Sequence, residues 1–81
     1  MVHVKLFARI REQSGEADLA VEWRPGLTVA DLRNQLAGMD ANLATALSGP
    51  LFAALNHDMV SFEAQIHEGD EVAFFPPVTG G

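Results

Sequence analysis

The chain has 81 residues, a hydrophobic content of 48% and a formal net charge of −6. This length fits one domain, and this share of apolar side chains argues against disorder. The acidic charge argues against nucleic acid as the main partner. The absence of cysteine excludes disulfides, a thiolate zinc site and a cysteine nucleophile.

No apolar run approaches the roughly 18 residues of a membrane span, and the N-terminus lacks a signal-peptide pattern. We therefore expect a soluble, cytoplasmic protein with no membrane partner.

Residues 2–10 alternate with a period of two, which predicts a half-buried strand with its even-numbered residues in the core. Phe7 would then be a large apolar residue on the outer face. Residues 11–16 read as a polar connection with a glycine stop. A second alternating strand, residues 18–23, can pair antiparallel with the first.

A helix is predicted after the turn at residues 24–26. Thr28 is suited to the N-cap, with Asp31 as the acid of a capping box. An apolar stripe with helical spacing follows, and Gly38 is a plausible stop. Residues 41–47 can form one further short helical turn. The stripe consists of Val29, Leu32 and Leu36.

The second half of the chain favours strands. Residues 51–55 form an apolar strand, 56–58 a tight turn and 59–62 a short return strand. Ile66 is expected to enter the core from the loop 63–70, and residues 71–75 form the last strand. This order predicts an α+β roll with a mixed sheet of four to five strands covered by one main helix. The arrangement resembles the ubiquitin-like β-grasp fold.

In a β-grasp roll the first and last strands lie parallel at the centre of the sheet. Val72 and Phe74 then belong to the core, while Ala73 and Phe75 share the outer face with Phe7. Large apolar side chains on an outer face are typical of an interaction site. We predict a partner-binding patch of Phe7, Phe75 and Met59, with Lys5, Arg9 and Arg11 on or near the same face.

The C-terminal segment 76–81 is predicted to leave the domain 1–75 as an extended tail. Pro76 and Pro77 cannot donate to a sheet ladder, and each fixes φ near −65°. Six residues reach about 20 Å, far enough to enter another protein. The α-carboxylate of Gly81 is the only charge of this tail, and it needs activation before it can react. A plain flexible end is the other interpretation.

Other chemistry is sparse. His3, His57 and His67 show no metal-ligand spacing. We find no phosphate-binding loop and no catalytic constellation, so we expect no bound metal and no catalysis by this chain alone.

The whole chain resembles the small, sulfur-carrying subunits of molybdopterin synthase. His57 departs from the pattern, in which a Gln- or Glu-like residue would follow Asn56. The terminal segment is the most specific part. The resemblance is carried by residues 4–8, Arg11-Glu12, Thr28-Val29, Leu32-Arg33, residues 54–56 and residues 69–81.

The resemblance implies that Gly81 is adenylated by an ATP-dependent, ubiquitin-activating-type adenylyltransferase and converted by a sulfur donor system to a thiocarboxylate. The tail would then enter the large, catalytic subunit and give sulfur to cyclic pyranopterin monophosphate, which builds the dithiolene of molybdopterin. The family assembles as a heterotetramer of two small and two large subunits. The tail residues that enter the partners' active sites would be Pro76, Pro77, Val78, Thr79 and Gly80.

Two other hypotheses remain open from the sequence. One is a related carrier for thiamine synthesis or tRNA thiolation, or a protein modifier that becomes linked to lysines. The other is a β-grasp interaction domain whose tail has no chemical role.

Overall fold

The computed structural model describes residues 1–77. In that range five strands form one mixed sheet and three helices lie between them in sequence. The elements are β1 (Val2–Leu6), α1 (Ala8–Ser14), β2 (Asp18–Val21), α2 (Val29–Met39), α3 (Ala41–Ala46), β3 (Phe52–Leu55), β4 (Asp58–Val60) and β5 (Glu71–Phe75).

The strand order in the sheet is β2-β1-β5-β3-β4. The first and last strands are parallel neighbours, with Val4 opposite Val72 and Leu6 opposite Phe74. The other pairs, β1 with β2, β3 with β4 and β3 with β5, are antiparallel. This is the predicted β-grasp arrangement, in which the strand that leads to the C-terminus occupies the centre of the sheet.

One face of the sheet packs against the helices. Val72 and Phe74 are fully buried, as their position in the last strand predicted, and Ile66 also enters the core. The stripe of α2 is buried along its whole length. The core combines these residues with the inward side chains of β1, which are Val2, Val4 and Leu6.

The start of α2 follows the sequence prediction closely. The Thr28 hydroxyl accepts a hydrogen bond from the Asp31 N–H, and the Asp31 carboxylate accepts one from the Thr28 N–H. This reciprocal pair is a capping box, which satisfies two amides that the helix leaves free. The predicted stop at Gly38 was early by one residue, because Asp40 forms the boundary and caps α3.

The prediction of a strand through residues 2–10 was wrong after Leu6. Ala8–Ser14 form α1, which buries Ile10 and Ser14 one turn apart. Gly15 ends this helix at φ 75°, and its N–H donates to the Arg11 carbonyl. The predicted polar connection 11–16 is therefore mostly helix. Ile10 is inward in either conformation, so the alternation could not distinguish them.

Residues 1–77 include no helix with the length and hydropathy needed to cross a bilayer.

Candidate docking face and C-terminal tail

The parallel register of β1 and β5 brings Phe7 and Phe75 to the same region of the outer sheet face. The Phe7 N–H donates to the Phe74 carbonyl at 3.3 Å, which extends the pairing of the two strands by one residue. Side chains alternate along a strand, so the buried Phe74 requires Phe75 to point to the opposite face.

A sharp corner follows Phe7. The next residue, Ala8, has φ 54°, a left-handed conformation that costs an L-residue about 1–2 kcal/mol. The corner ends β1 and starts α1, which leaves the Phe7 ring exposed rather than covered by the chain that follows it. The sequence prediction of an exposed aromatic ring at this position is confirmed.

Phe52 is a further aromatic residue of this face that the sequence analysis missed. It pairs with Phe75 across β3 and β5, and the two ring centroids lie 6.0 Å apart. Such a tilted pair is a favourable aromatic geometry. The apolar run 51–55 did not indicate which of its side chains point outward. The outward direction of Phe52 follows from the antiparallel pairing of β3 with β5.

Met59 lies on the neighbouring strand, opposite Ala54. We call the set Phe7, Phe52, Met59 and Phe75 the docking face. Phe7, Phe52 and Met59 are exposed by 46%, 43% and 59%, and Phe75 is half-buried. Exposed apolar side chains gathered on one sheet face are what a protein-binding surface requires.

A pocket of about 240 Å³ lies within this face. Two small residues, Ala54 and Ala73, face each other across β3 and β5. The remaining lining residues are Phe7, Phe75, His57 and Glu71. The pocket therefore combines aromatic rings and alanine methyl groups with one carboxylate and one imidazole.

The Glu71 carboxylate is oriented by a fixed backbone. The Asn56 side-chain oxygen accepts a hydrogen bond from the Glu71 N–H at 3.0 Å, and the Asn56 N–H donates to the Glu71 carbonyl at 2.8 Å. The Asn56 side-chain amide also donates to Asp70 at 3.0 Å. His57 Nε2 lies 3.2 Å from a Glu71 carboxylate oxygen.

Residues 56–57 form the hairpin turn between β3 and β4, and Asp70 joins this turn to the start of β5. Its carboxylate accepts hydrogen bonds from the Asn56 amide and from the His67 backbone N–H, and these bonds lower the pKa of Asp70 below its usual value. A carboxylate that accepts hydrogen bonds favours its charged form. The turn and the strand are therefore joined at the edge of the pocket.

The predicted basic residues separate in the structure. Lys5 lies on β1 and bonds to Asp18 across the sheet at 2.8 Å, and this contact raises the pKa of Lys5. Arg9 and Arg11 belong to α1, so the assignment of Arg9 to the outer face of a strand was wrong. The helix interrupts the alternation on which that assignment depended.

The predicted tail would begin directly after the docking face. β5 ends at Phe75, and Pro76 and Pro77 follow without regular secondary structure. The predicted tail residues Val78, Thr79 and Gly80, and the predicted reactive Gly81, lie outside the described residues. Between residues 1 and 77, no three His, Asp or Glu side chains form a group suited to a metal ion.

Comparison with known proteins identifies the family. The family model described as "ThiS family" matches residues 4–81. The chain belongs to the ThiS family. A curated relative, the molybdopterin synthase sulfur carrier subunit of Escherichia coli, is 44% identical over 84 residues and covers 100% of both chains. The resemblance inferred from the terminal segment is confirmed.

Solved structures place this ThiS-family chain among β-grasp proteins. Small archaeal modifier protein 1 of Haloferax volcanii has a TM-score of 0.83 at 27% identity, over 95% of this chain and 97% of that one. A chain from the complex of subunits 1 and 2 of the Helicobacter pylori molybdopterin-converting factor has a TM-score of 0.70 at 25% identity, over 99% and 97%.

Proposed function

We propose that this ThiS-family chain is the sulfur carrier subunit of a molybdopterin synthase. The full-length similarity to a subunit of that name supports the assignment. The structural observation that carries it is the continuity of β5, Phe75 and Pro76. The strand that contributes Phe75 to the docking face runs directly into the segment that ends at Gly81. A partner bound to this face would lie beside the base of the tail.

The chemistry starts from an unreactive group. The Gly81 carboxylate attacks the α-phosphorus of ATP, pyrophosphate leaves, and an acyl-adenylate forms on the activating enzyme. Hydrosulfide delivered by the donor system then attacks the carbonyl carbon, the C–O bond to AMP breaks, and loss of the S–H proton to solvent leaves a thiocarboxylate. Two such thiocarboxylates supply the two sulfur atoms that convert cyclic pyranopterin monophosphate to the dithiolene of molybdopterin.

The sequence of the tail suits this use. Its terminal carboxyl group must enter the adenylating site and the sulfur-transfer site in turn. The Gly80-Gly81 end lets two different sites close on the backbone without a Cβ atom in the way. The proposed reactive group is the C-terminal thiocarboxylate itself, so catalysis is assigned to the partners and this chain acts as the non-catalytic subunit.

The large, catalytic subunit of molybdopterin synthase is the principal partner that we propose. The Helicobacter pylori structure is described as a complex of subunits 1 and 2 of molybdopterin-converting factor, and one of its chains shares this fold. We extend that pairing to this protein as a heterotetramer of two small and two large subunits. The adenylyltransferase and the sulfur donor are the other partners. The proposed contact surface for the partners includes Phe7, Phe75 and Met59.

The similarity to small archaeal modifier protein 1 favours one second candidate, a protein modifier joined to lysines. The acceptor distinguishes the two functions. The chain should be charged with the activating enzyme, ATP and labelled sulfide, then incubated with the large subunit and cyclic pyranopterin monophosphate. Sulfur in a pterin product is expected from the carrier. Amide-linked conjugates without a pterin product would support the modifier instead.

Deletion of Gly80 and Gly81 is the matched control. We expect sulfur transfer to be lost completely, because the reactive terminal carboxyl group of Gly81 is removed. The melting temperature should stay unchanged, because the described core ends at Phe74. Full sulfur transfer by the truncated chain would exclude the carrier function.

A further inference from the structure

The pocket in the docking face is smaller than a cofactor site. Pockets for small molecules usually enclose roughly 300–1,000 Å³, and this one encloses about 240 Å³. Its size suits a single protruding side chain from a bound protein. The docking face surrounds it with Phe7 and Phe75, so a partner that covers the face would also close the pocket.

The lining favours a long side chain with a cationic end. Ala54 and Ala73 leave room for an aliphatic stem along the floor, and the two phenylalanine rings can lie against a cation. The Glu71 carboxylate provides the opposite charge at the edge of the same pocket. A purely apolar occupant would cover this carboxylate and reduce its contact with water without adding an opposite charge, which is costly.

Glu71 is available for such a partner. Its carboxylate is 30% exposed, and a close side-chain contact within residues 1–77 is with the imidazole of His57, which is 82% exposed. The backbone of Glu71 is held on both sides by Asn56. A preorganised carboxylate beside a loosely held neighbour can exchange that neighbour with little reorganisation.

The hairpin turn supports the same interpretation. Asn56 and His57 have φ 50° and 76°, and a glycine would adopt the second position without strain. The turn instead carries an imidazole in contact with Glu71. Backbone strain of this kind persists where the surrounding structure maintains it, often at binding sites.

We propose that the pocket between Phe7, Phe75 and Glu71 is a socket for one arginine side chain of the partner protein, which displaces His57 from Glu71. Arginine fits better than lysine because its planar guanidinium stacks on aromatic rings, pairs with a carboxylate through two N–H groups and is weakly hydrated. The net charge of −6 agrees with a cationic partner surface.

The inference builds on the proposed function, because the partner used to test it is the large subunit of molybdopterin synthase. Its affinity should be measured for the wild-type chain and for Glu71→Gln, His57→Gly and Glu63→Gln. Glu63 is the matched control: it is exposed, and its neighbours Phe62 and Ala64 bond to the first amides of α2, on the helix side of the sheet.

Glu71→Gln is expected to weaken binding about tenfold or more, whereas Glu63→Gln should leave it nearly unchanged. His57→Gly should bind as well as the wild type or better, because the displaced side chain is gone. Equal affinities for the wild type and Glu71→Gln would overturn the socket. If even the wild-type chain does not bind the large subunit, the proposed function fails instead, and the two failures are thus distinct.

Chemical modification identifies the inserted side chain directly. Phenylglyoxal reacts with accessible arginines, and mass spectrometry locates each modified residue. One arginine of the large subunit should be protected in the complex with the wild-type chain and should react in the complex with Glu71→Gln. Protection that is identical in both complexes, or protection of a lysine from acetylation in place of an arginine, would overturn the proposal.

Discussion

Phe52 and Phe75 lie side by side on the outer face of the sheet, with their ring centroids 6.0 Å apart. The contact joins β3 to the last residue of β5 before the tail. It extends the exposed apolar surface beyond Phe7 and Met59. The centre of this surface then lies next to the start of the predicted tail. We consider this pair the core of the docking face.

Phe52→Ala is therefore expected to weaken binding of the large subunit by about tenfold or more, since truncated aromatic residues at interface centres have the largest effects. Phe52 is already 43% exposed and lies outside the buried core, so the free energy of unfolding should change by no more than about 1 kcal/mol. Calorimetry of binding and urea denaturation measure the two effects. Met39→Ala, an exposed residue at the end of α2, is the control and should leave binding unchanged.

His57→Gly is expected to stabilise the isolated domain by about 0.5–1 kcal/mol, because glycine adopts the left-handed conformation without strain. Asn56→Gly relieves a similar conformation, yet it also removes the side-chain hydrogen bonds to Asp70 and Glu71. This second change should destabilise the domain by about 1–2 kcal/mol. Urea denaturation of both variants tests the distinction, and a destabilised His57→Gly would show that the imidazole supports the turn.

The hydrogen bonds of the Asp70 carboxylate predict that the folded protein loses stability in acid. The pKa of Asp70 is lowered in the folded protein, so its carboxylate stabilises the fold above the unfolded value of 3.8, and that contribution is lost as the pH falls through the lower folded value. Asp70→Asn should cost about 1 kcal/mol at pH 6, and the difference from the wild type should shrink toward about pH 3. A constant difference across this range, measured by denaturation, would contradict the assignment.

Lys5 is the single lysine of the chain, and Asp18 raises its pKa. Its protonated form is favoured in the fold, so the pair stabilises the protein at neutral pH and loses this effect as the pH rises through the raised pKa, above 10.5. Asp18→Asn should speed acylation of Lys5 by an amine-reactive ester several-fold. Acylation of the Met1 amine serves as the internal control, and an unchanged Lys5 rate would contradict the prediction.

Local patterns predicted much of this fold because local physics determines those features. The capping box at Thr28 and Asp31 depends on residues three apart, and the burial of Val72 and Phe74 depends on the alternation within one strand. The outward direction of Phe75 followed from the same alternation. These features depend on residues that are close together in the sequence, so they can be predicted from the sequence pattern alone.

Features that depend on an unusual backbone conformation, or on the pairing of segments far apart in the sequence, were harder to predict. The end of β1 was misplaced because Ala8 adopts an unusual backbone conformation, while Ile10 is apolar in both the strand and the helix interpretation. Phe52 was missed because its facing depends on the register with Phe75, which lies 23 positions further along the chain. The Asn56 contacts with Asp70 and Glu71 likewise join segments that no local motif relates.

The most direct test of sulfur carriage is the intact mass of the protein after incubation with ATP, the activating enzyme and a sulfur donor. We expect a shift equal to the replacement of one oxygen by sulfur, and no shift in a variant that lacks Gly81. The activating enzyme must first be shown to charge a known carrier. With that enzyme active, an unchanged mass of the wild-type chain would contradict the carrier function.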